Sequence, residues 1–107
     1  MKNKAYEDIK ESLKVLGLTD GAVCKDVKKR YYILARKYHP DKCFGVRKKR
    51  CEEQFKKINN AYKIVTAYCQ LYGRSLNLRE IKKNTLGEEY YNHLRRFYDG
   101  WWGSLDL

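Results

Sequence analysis

Side chains that could do chemistry stand close together near the middle of this 107-residue chain, where His39, Asp41 and Cys43 fall within five consecutive positions. An imidazole can move protons, a carboxylate can accept charge-assisted hydrogen bonds, and a thiolate can act as a nucleophile. A Cys43–His39 nucleophilic pair would need a third group to orient the histidine and a donor for an oxyanion, and the sequence suggests neither. We therefore interpret His39 and Asp41 as a contact point for another molecule.

Pro40 lies between these two residues and is the only proline of the chain. Proline cannot continue a helix, and it restricts the residue before it to extended backbone. We therefore expect the preceding helical pattern to end at Tyr38, and we expect His39 and Asp41 to point outward from a loop. The sequence His39-Pro40-Asp41 is called the tripeptide below.

Apolar residues recur every three or four positions in three segments, which predicts three amphipathic helices. The first helix should span about residues 3–16 and stop at Gly17, the second about 23–38, and the third about 48–72. The tripeptide then lies at the start of a loop, 39–47, between the last two helices. The core-facing residues predicted for these two helices are Val27, Tyr31, Leu34, Ala35, Tyr38, Cys51, Phe55, Ile58, Tyr62, Val65, Cys69 and Tyr72.

These segments resemble the J domain, the chaperone-activating module of DnaJ-type proteins, whose signature is a His-Pro-Asp sequence between two antiparallel helices. Leu13–Gly17 is similar to the end of the family's first helix, and Phe55–Val65 is similar to its third-helix sequence. The resemblance covers roughly residues 5–68. It implies an all-α J-domain fold, with the second and third helices forming an antiparallel hairpin and the first helix packed across it.

Positive charge is concentrated beside the tripeptide. Residues 25–50 contain eleven Lys or Arg and two acidic residues, which gives +9 of the formal net charge of +11. A focused cationic face speeds association with an acidic partner and is screened by salt. A solvated helix face and a nucleic-acid contact are the alternatives, but no recognition-helix, zinc-finger or RNA-platform pattern accompanies the charge. We expect a protein partner rather than nucleic acid.

The resemblance names that partner as a DnaK-type chaperone of the heat-shock protein 70 class. It implies a co-chaperone that stimulates the partner's ATP hydrolysis and client capture, with no catalysis of its own and no cofactor. The residues expected to trigger the chaperone are His39, Pro40 and Asp41. The residues expected to supply electrostatic contacts are Lys25, Lys28, Lys29, Arg36 and Lys42.

The four cysteines are Cys24, Cys43, Cys51 and Cys69, separated by 19, 8 and 18 positions. This spacing lacks the close Cys-x-x-Cys pairs of zinc ribbons. Cysteine also packs well as a small apolar side chain, and Cys51 and Cys69 fall on the predicted apolar face of the third helix. We therefore expect buried apolar cysteines and no metal site.

Residues 73–107 depart from the family pattern and predict an aromatic-rich helical extension. Asn77 and Glu80 have the spacing of a capping box, and a last helix is expected at about 85–99. We expect the extension to pack on the J domain. The alternative is an adaptor whose exposed aromatic residues recruit a client protein; the candidate residues are Tyr98, Trp101 and Trp102.

The chain's length allows one J domain, at 1–72, followed by the extension. No apolar stretch approaches the roughly 20 residues of a membrane span, and the first residues lack the apolar region of a secretory signal. These features predict a cytoplasmic protein without a membrane partner.

Overall fold

A computed structural model describes residues 4–87, 89, 90, 92, 93, 95 and 96. Its helices are α1 (Lys4–Val15), α2 (Lys25–Tyr38), α3 (Arg47–Tyr72) and α4 (Leu78–Asn84), and a short 3-10 turn at Pro40–Lys42 lies between α2 and α3. Residues 89, 90, 92, 93, 95 and 96 are also helical. The described residues contain no β-strand, which confirms the all-α fold expected from the resemblance.

The helices α2 and α3 pack side by side in opposite directions. Contacting pairs run in opposite order along the two helices: Cys24 with Cys69, Tyr31 with Tyr62, and His39 with Phe55. The predicted core positions Val27, Tyr31 and Ala35 are buried on α2. The antiparallel hairpin places the tripeptide at one end of a rigid helix pair.

The helix α1 packs on a second surface of α3. Ile9, Leu13 and Leu16, from α1 and its end, are 0–3% exposed and belong to the same core as the α2/α3 contact. Because α3 packs against both α1 and α2, it buries residues that a single apolar stripe would leave in solvent. The additional buried residues on α3 that the sequence pattern did not predict are Ala61, Ala67 and Tyr68. Tyr68 is contacted by Tyr90 and Asn84 of the extension.

The first helix ends at Val15, and Gly17 closes its last turn. Gly17 has a φ of 72°, in the left-handed region that glycine adopts without strain, and the Leu18 N–H donates to the Leu13 carbonyl at 2.8 Å. The Arg30 side chain occupies the space where a Cβ on Gly17 would lie, and its Nε donates to the Leu16 carbonyl at 2.9 Å. One basic side chain of α2 therefore anchors the end of α1.

The segment that follows α3 makes backbone hydrogen bonds with the start of α2. Cys24 makes no side-chain capping bond, but its N–H donates to the Arg74 carbonyl at 2.9 Å, and the Leu76 N–H donates to the Ala22 carbonyl at 2.8 Å. Val23 and Ser75 form an isolated antiparallel bridge. The chain entering the extension therefore satisfies backbone groups at the entrance of the hairpin.

The described part of the extension packs on α1 and α3. Asn77 caps α4, because its Oδ1 accepts from the N–H groups of Arg79 and Glu80 at 2.9 and 3.3 Å. This confirms the predicted cap, although the Asn77 N–H donates to Ser75 Oγ. Tyr90 is 1% exposed, within the core. The candidate client-binding residues Tyr98, Trp101 and Trp102 lie outside the described residues.

The interpretation of the cysteines as unpaired apolar side chains was wrong. They form two disulfides, Cys24–Cys69 and Cys43–Cys51, with Cα atoms 5.9 and 6.5 Å apart. Spacing along the chain could not reveal the first pair, because it depends on the antiparallel register of α2 and α3. The second pair joins the loop that follows the tripeptide to the second turn of α3.

No helix within the described part of the chain combines the length and apolar character needed to cross a bilayer.

Removing the disulfide that closes the longer stretch of chain should destabilise the fold more. In the chain-entropy relation, linking residues 45 apart stabilises by about 4 kcal/mol, and linking residues 8 apart by about 2.5 kcal/mol. Replacing Cys24 and Cys69 by Ser should therefore lower the free energy of unfolding more than replacing Cys43 and Cys51. Urea denaturation of each variant measures both losses. The control is a variant that lacks all four cysteines, and its stability should not respond to reductant. A wild-type chain that is equally stable with and without reductant would contradict the pairing.

Candidate functional site

The backbone turn at the tripeptide follows from proline. His39 ends α2 with φ −61° and ψ 131°, the extended conformation predicted for a residue before proline. Pro40 then starts the 3-10 turn, where its missing N–H costs no hydrogen bond. The turn is closed by the Lys42 N–H donating to the His39 carbonyl at 2.9 Å and by the Cys43 N–H donating to the Pro40 carbonyl at 3.2 Å. The predicted loop 39–47 therefore contains a defined turn.

The two polar side chains of the tripeptide differ in exposure. The side chain of Asp41 is 89% exposed, whereas that of His39 is 45% exposed. The His39 ring centroid lies 5.3 Å from that of Phe55 on α3, and this contact holds the imidazole partly against the hairpin. The prediction that both side chains point outward therefore describes Asp41 fully and His39 only in part.

His39 also fixes the backbone of Asp41. The Asp41 N–H donates to His39 Nδ1 at 3.2 Å, and Asp41 Oδ2 lies 3.7 Å from the same nitrogen. The imidazole accepts this bond only when Nδ1 carries no proton. The contact leaves the Asp41 carboxylate directed into solvent, where it can accept a charge-assisted bond from a partner.

The far side of the turn is fastened to α3 by a disulfide. Cys43 and Cys51 are 6% and 4% exposed, so the sulfur of Cys43 lies inside the fold and is bonded to Cys51. The Cys43–His39 nucleophilic pair considered from the sequence is therefore absent. The tripeptide is held by α2 on one side and by two contacts with α3, through Phe55 and Cys51, on the other.

The helix pair beneath the tripeptide is held by a partly buried hydrogen bond as well as by apolar packing. The Tyr31 hydroxyl donates to Asn59 Oδ1 at 2.7 Å, and the Tyr31 ring stacks on Tyr62 with centroids 4.1 Å apart. Burial raises the pKa of the Tyr31 hydroxyl, and the neighbouring Tyr62 and Tyr32 raise it further. The hydroxyl therefore stays protonated and able to donate. Apolar spacing in the sequence could not predict the role of Asn59, because its side chain is polar.

A cationic surface lies along α2 and the turn. The five residues expected to supply electrostatic contacts are all exposed, and we call this set the basic face: Lys25, Lys28, Lys29, Arg36 and Lys42. Of the eleven basic residues between positions 25 and 50, ten are exposed, and only Arg30 is partly buried. None of the ten lies within 4.0 Å of a carboxylate oxygen of the described residues. Their charge is therefore available to a partner.

Comparison with known proteins identifies the family. The DnaJ domain matches residues 11–68, more than half of the chain, and the chain belongs to this family. The matched region includes the tripeptide, the basic face, all of α2 and the part of α3 up to residue 68.

Several relatives share this region. The chain is 44% identical over 57 residues to chaperone protein DnaJ 2 of Aquifex aeolicus, covering 53% of this chain and 14% of the relative. It is 47% identical over 66 residues to chaperone protein DnaJ of Clostridium acetobutylicum, covering 62% and 16%. A DnaJ-like protein of Acanthamoeba polyphaga mimivirus is 48% identical over 64 residues, covering 60% and 15%. The chain thus matches only about one seventh of the length of these relatives, and no solved structure matches it.

Proposed function

We propose that this chain is a co-chaperone that docks on a DnaK-type chaperone and stimulates its ATP hydrolysis and client capture. The observation that carries the proposal is the exposed Asp41 carboxylate, held in a turn at the end of the α2/α3 hairpin and beside the basic face. Membership of the DnaJ domain family supplies the class of partner. The tripeptide and the basic face would act together as one docking surface.

Each residue of the tripeptide has a separate physical role in this proposal. Asp41 would accept a charge-assisted hydrogen bond from an arginine or lysine of the chaperone, a bond worth about 1.5–3 kcal/mol. Pro40 fixes the backbone of the turn before binding, which reduces the conformational entropy lost on docking. His39 holds the Asp41 backbone through the bond to Nδ1 and rests on Phe55.

The basic face would steer the chain toward an acidic surface of the chaperone. Exposed charges raise the association rate with an oppositely charged partner, and they lose this effect beyond about 10 Å at 0.1 M salt. The chain itself would perform no chemistry and need no cofactor. Its docking would shift the conformational equilibrium of another protein's ATPase.

The location proposed from the sequence is cytoplasmic, but the two disulfides argue against it. Disulfides persist in oxidising compartments and are rare in the cytosol, where thiols are kept reduced. In the cytosol, Cys24–Cys69 and Cys43–Cys51 would therefore face continuous reduction. The adaptor role of Tyr98, Trp101 and Trp102 stays a prediction from the sequence.

Loss of the Asp41 charge should abolish most of the stimulation. Wild-type chain should raise single-turnover ATP hydrolysis by its cognate DnaK-type chaperone. Asp41→Asn, which keeps the side-chain shape, should lower the maximal stimulation at saturating concentration about 10- to 100-fold, because the charge-assisted bond is lost. The matched control is Asp8→Asn, a second exposed aspartate, located on α1, which should behave as wild type. Failure of the wild-type chain to stimulate hydrolysis, or equal stimulation by Asp41→Asn, would contradict the proposal.

Neutralising the basic face should weaken docking on the chaperone. Replacing Lys25, Lys28 and Lys29 by Gln should raise the concentration for half-maximal stimulation by about tenfold, since each exposed charge pair contributes up to about 1 kcal/mol. The control triple Lys4, Lys14 and Lys56 to Gln makes the same change in net charge at other exposed positions and should have little effect.

A nucleic-acid role predicts a different pattern. Tight, salt-dependent oligonucleotide binding that ignores the tripeptide, and that falls when Lys48, Lys49 and Arg50 are neutralised, would favour that alternative.

A further inference from the structure

The loop between the tripeptide and α3 exposes two apolar side chains. Phe44 is 79% exposed and Val46 is 97% exposed, although the disulfide-bonded Cys43 and Cys51 that flank this loop are buried. Single exposed apolar residues are ordinary on protein surfaces. Here two of them share a three-residue segment, Phe44–Val46, which we call the apolar tip.

The apolar tip is anchored at both ends. On one side, the Cys43 N–H donates to the Pro40 carbonyl at 3.2 Å, and the Cys43–Cys51 disulfide ties the segment to α3. On the other side, the Lys48 N–H donates to the Gly45 carbonyl at 3.2 Å. Gly45 itself has a φ of 67°, in the left-handed region that favours glycine. Anchoring before binding lowers the entropy that the tip would lose in a complex.

The surroundings of the tip are strongly cationic. It is followed directly by four exposed basic residues: Arg47, Lys48, Lys49 and Arg50. The first turn of α3 contains no acidic residue. Cations at a helix N-terminus are unfavourable, because the helix dipole places partial positive charge there. This arrangement does not stabilise α3. It would, however, attract an acidic binding partner.

The apolar tip lies close to the tripeptide along the chain. Phe44 follows Asp41 by three residues, so the two positions lie within about 10 Å along the backbone. A partner surface that reaches the Asp41 carboxylate is therefore close enough to contact the tip. The basic face continues the same positive charge on the α2 side of the tripeptide.

We propose that the apolar tip inserts into an apolar cleft, rimmed by acidic residues, on the same chaperone that the tripeptide engages. Phe44 and Val46 would bury their side chains in the cleft, and the following basic residues would pair with its rim. The contact would set the affinity of docking, whereas the tripeptide would trigger hydrolysis. This inference rests on the proposed co-chaperone function.

The experiment compares the double variant Phe44→Ser, Val46→Ser with the wild-type chain in single-turnover ATP hydrolysis by the DnaK-type chaperone. The variant should need an about 10- to 100-fold higher concentration for half-maximal stimulation, because burial of an exposed Phe and Val would be lost. Its maximal stimulation at saturation should equal that of the wild type. Phe44→Leu, which keeps an apolar side chain, should stay close to wild type.

The matched control is Leu71→Ser with Leu86→Ser, two exposed apolar residues, 42% and 70% exposed, outside the tripeptide loop. This control should leave the half-maximal concentration unchanged, and circular dichroism should give wild-type helicity for both double variants. An unchanged half-maximal concentration for the tip variant would overturn the tip proposal while leaving the co-chaperone function intact. Absence of stimulation by the wild-type chain would instead overturn the co-chaperone function itself.

A lipid surface is the competing partner for an apolar and basic loop. Co-sedimentation with vesicles of phosphatidylserine and phosphatidylcholine tests it with the same variants. Vesicle binding that disappears in the tip variant, together with unchanged ATPase stimulation, would overturn the proposal and assign the tip to a membrane.

Discussion

The antiparallel contact between α2 and α3, centred on Tyr31, is the constraint on which the site depends. The Tyr31 hydroxyl bonds to Asn59 and its ring stacks on Tyr62, so the register of the two helices is fixed by one polar bond and one aromatic pair. That register brings Phe55 beneath the His39 ring. It therefore determines how far His39 projects and where the Asp41 carboxylate lies.

The two disulfides close the two ends of this same hairpin. Cys24–Cys69 joins the start of α2 to the last part of α3, and Cys43–Cys51 joins the tripeptide loop to the second turn of α3. Ten exposed cations between residues 25 and 50 pair with no carboxylate of the described residues, and their mutual repulsion opposes a compact structure. Covalent closure at both ends offsets part of this cost. In physical terms, the chain keeps a strongly charged surface available to a partner by constraining the helices that carry it.

Much of the fold could be predicted from local features of the sequence. The extended backbone of His39 followed from Pro40, the end of α1 from Gly17, and the buried positions Val27 and Val65 from helical spacing. These predictions needed only near neighbours in the chain. The candidate docking residues could also be located, because the tripeptide is contiguous in sequence and the basic face lies on one predicted helix and the loop after it.

The features that could not be predicted depend on residues that are distant in the chain. The cysteine pairing required the register of α2 against α3, and the completion of the start of α2 required the backbone of Arg74. Asn59 was overlooked because apolar periodicity does not reveal a polar side chain that bonds to a buried tyrosine hydroxyl. The partial burial of His39 likewise depends on Phe55, a residue on the opposite helix.

The central claim is that the tripeptide and the basic face form one docking surface. Mapping the backbone amide signals of the isotope-labelled chain by NMR, on addition of an ATP-bound DnaK-type chaperone, tests it most directly. The claim predicts that the perturbed amides cluster at residues 25–47, with α1 and α4 little affected. Perturbations confined to α1, α4 or the residues beyond them, with residues 25–47 unchanged, would contradict it.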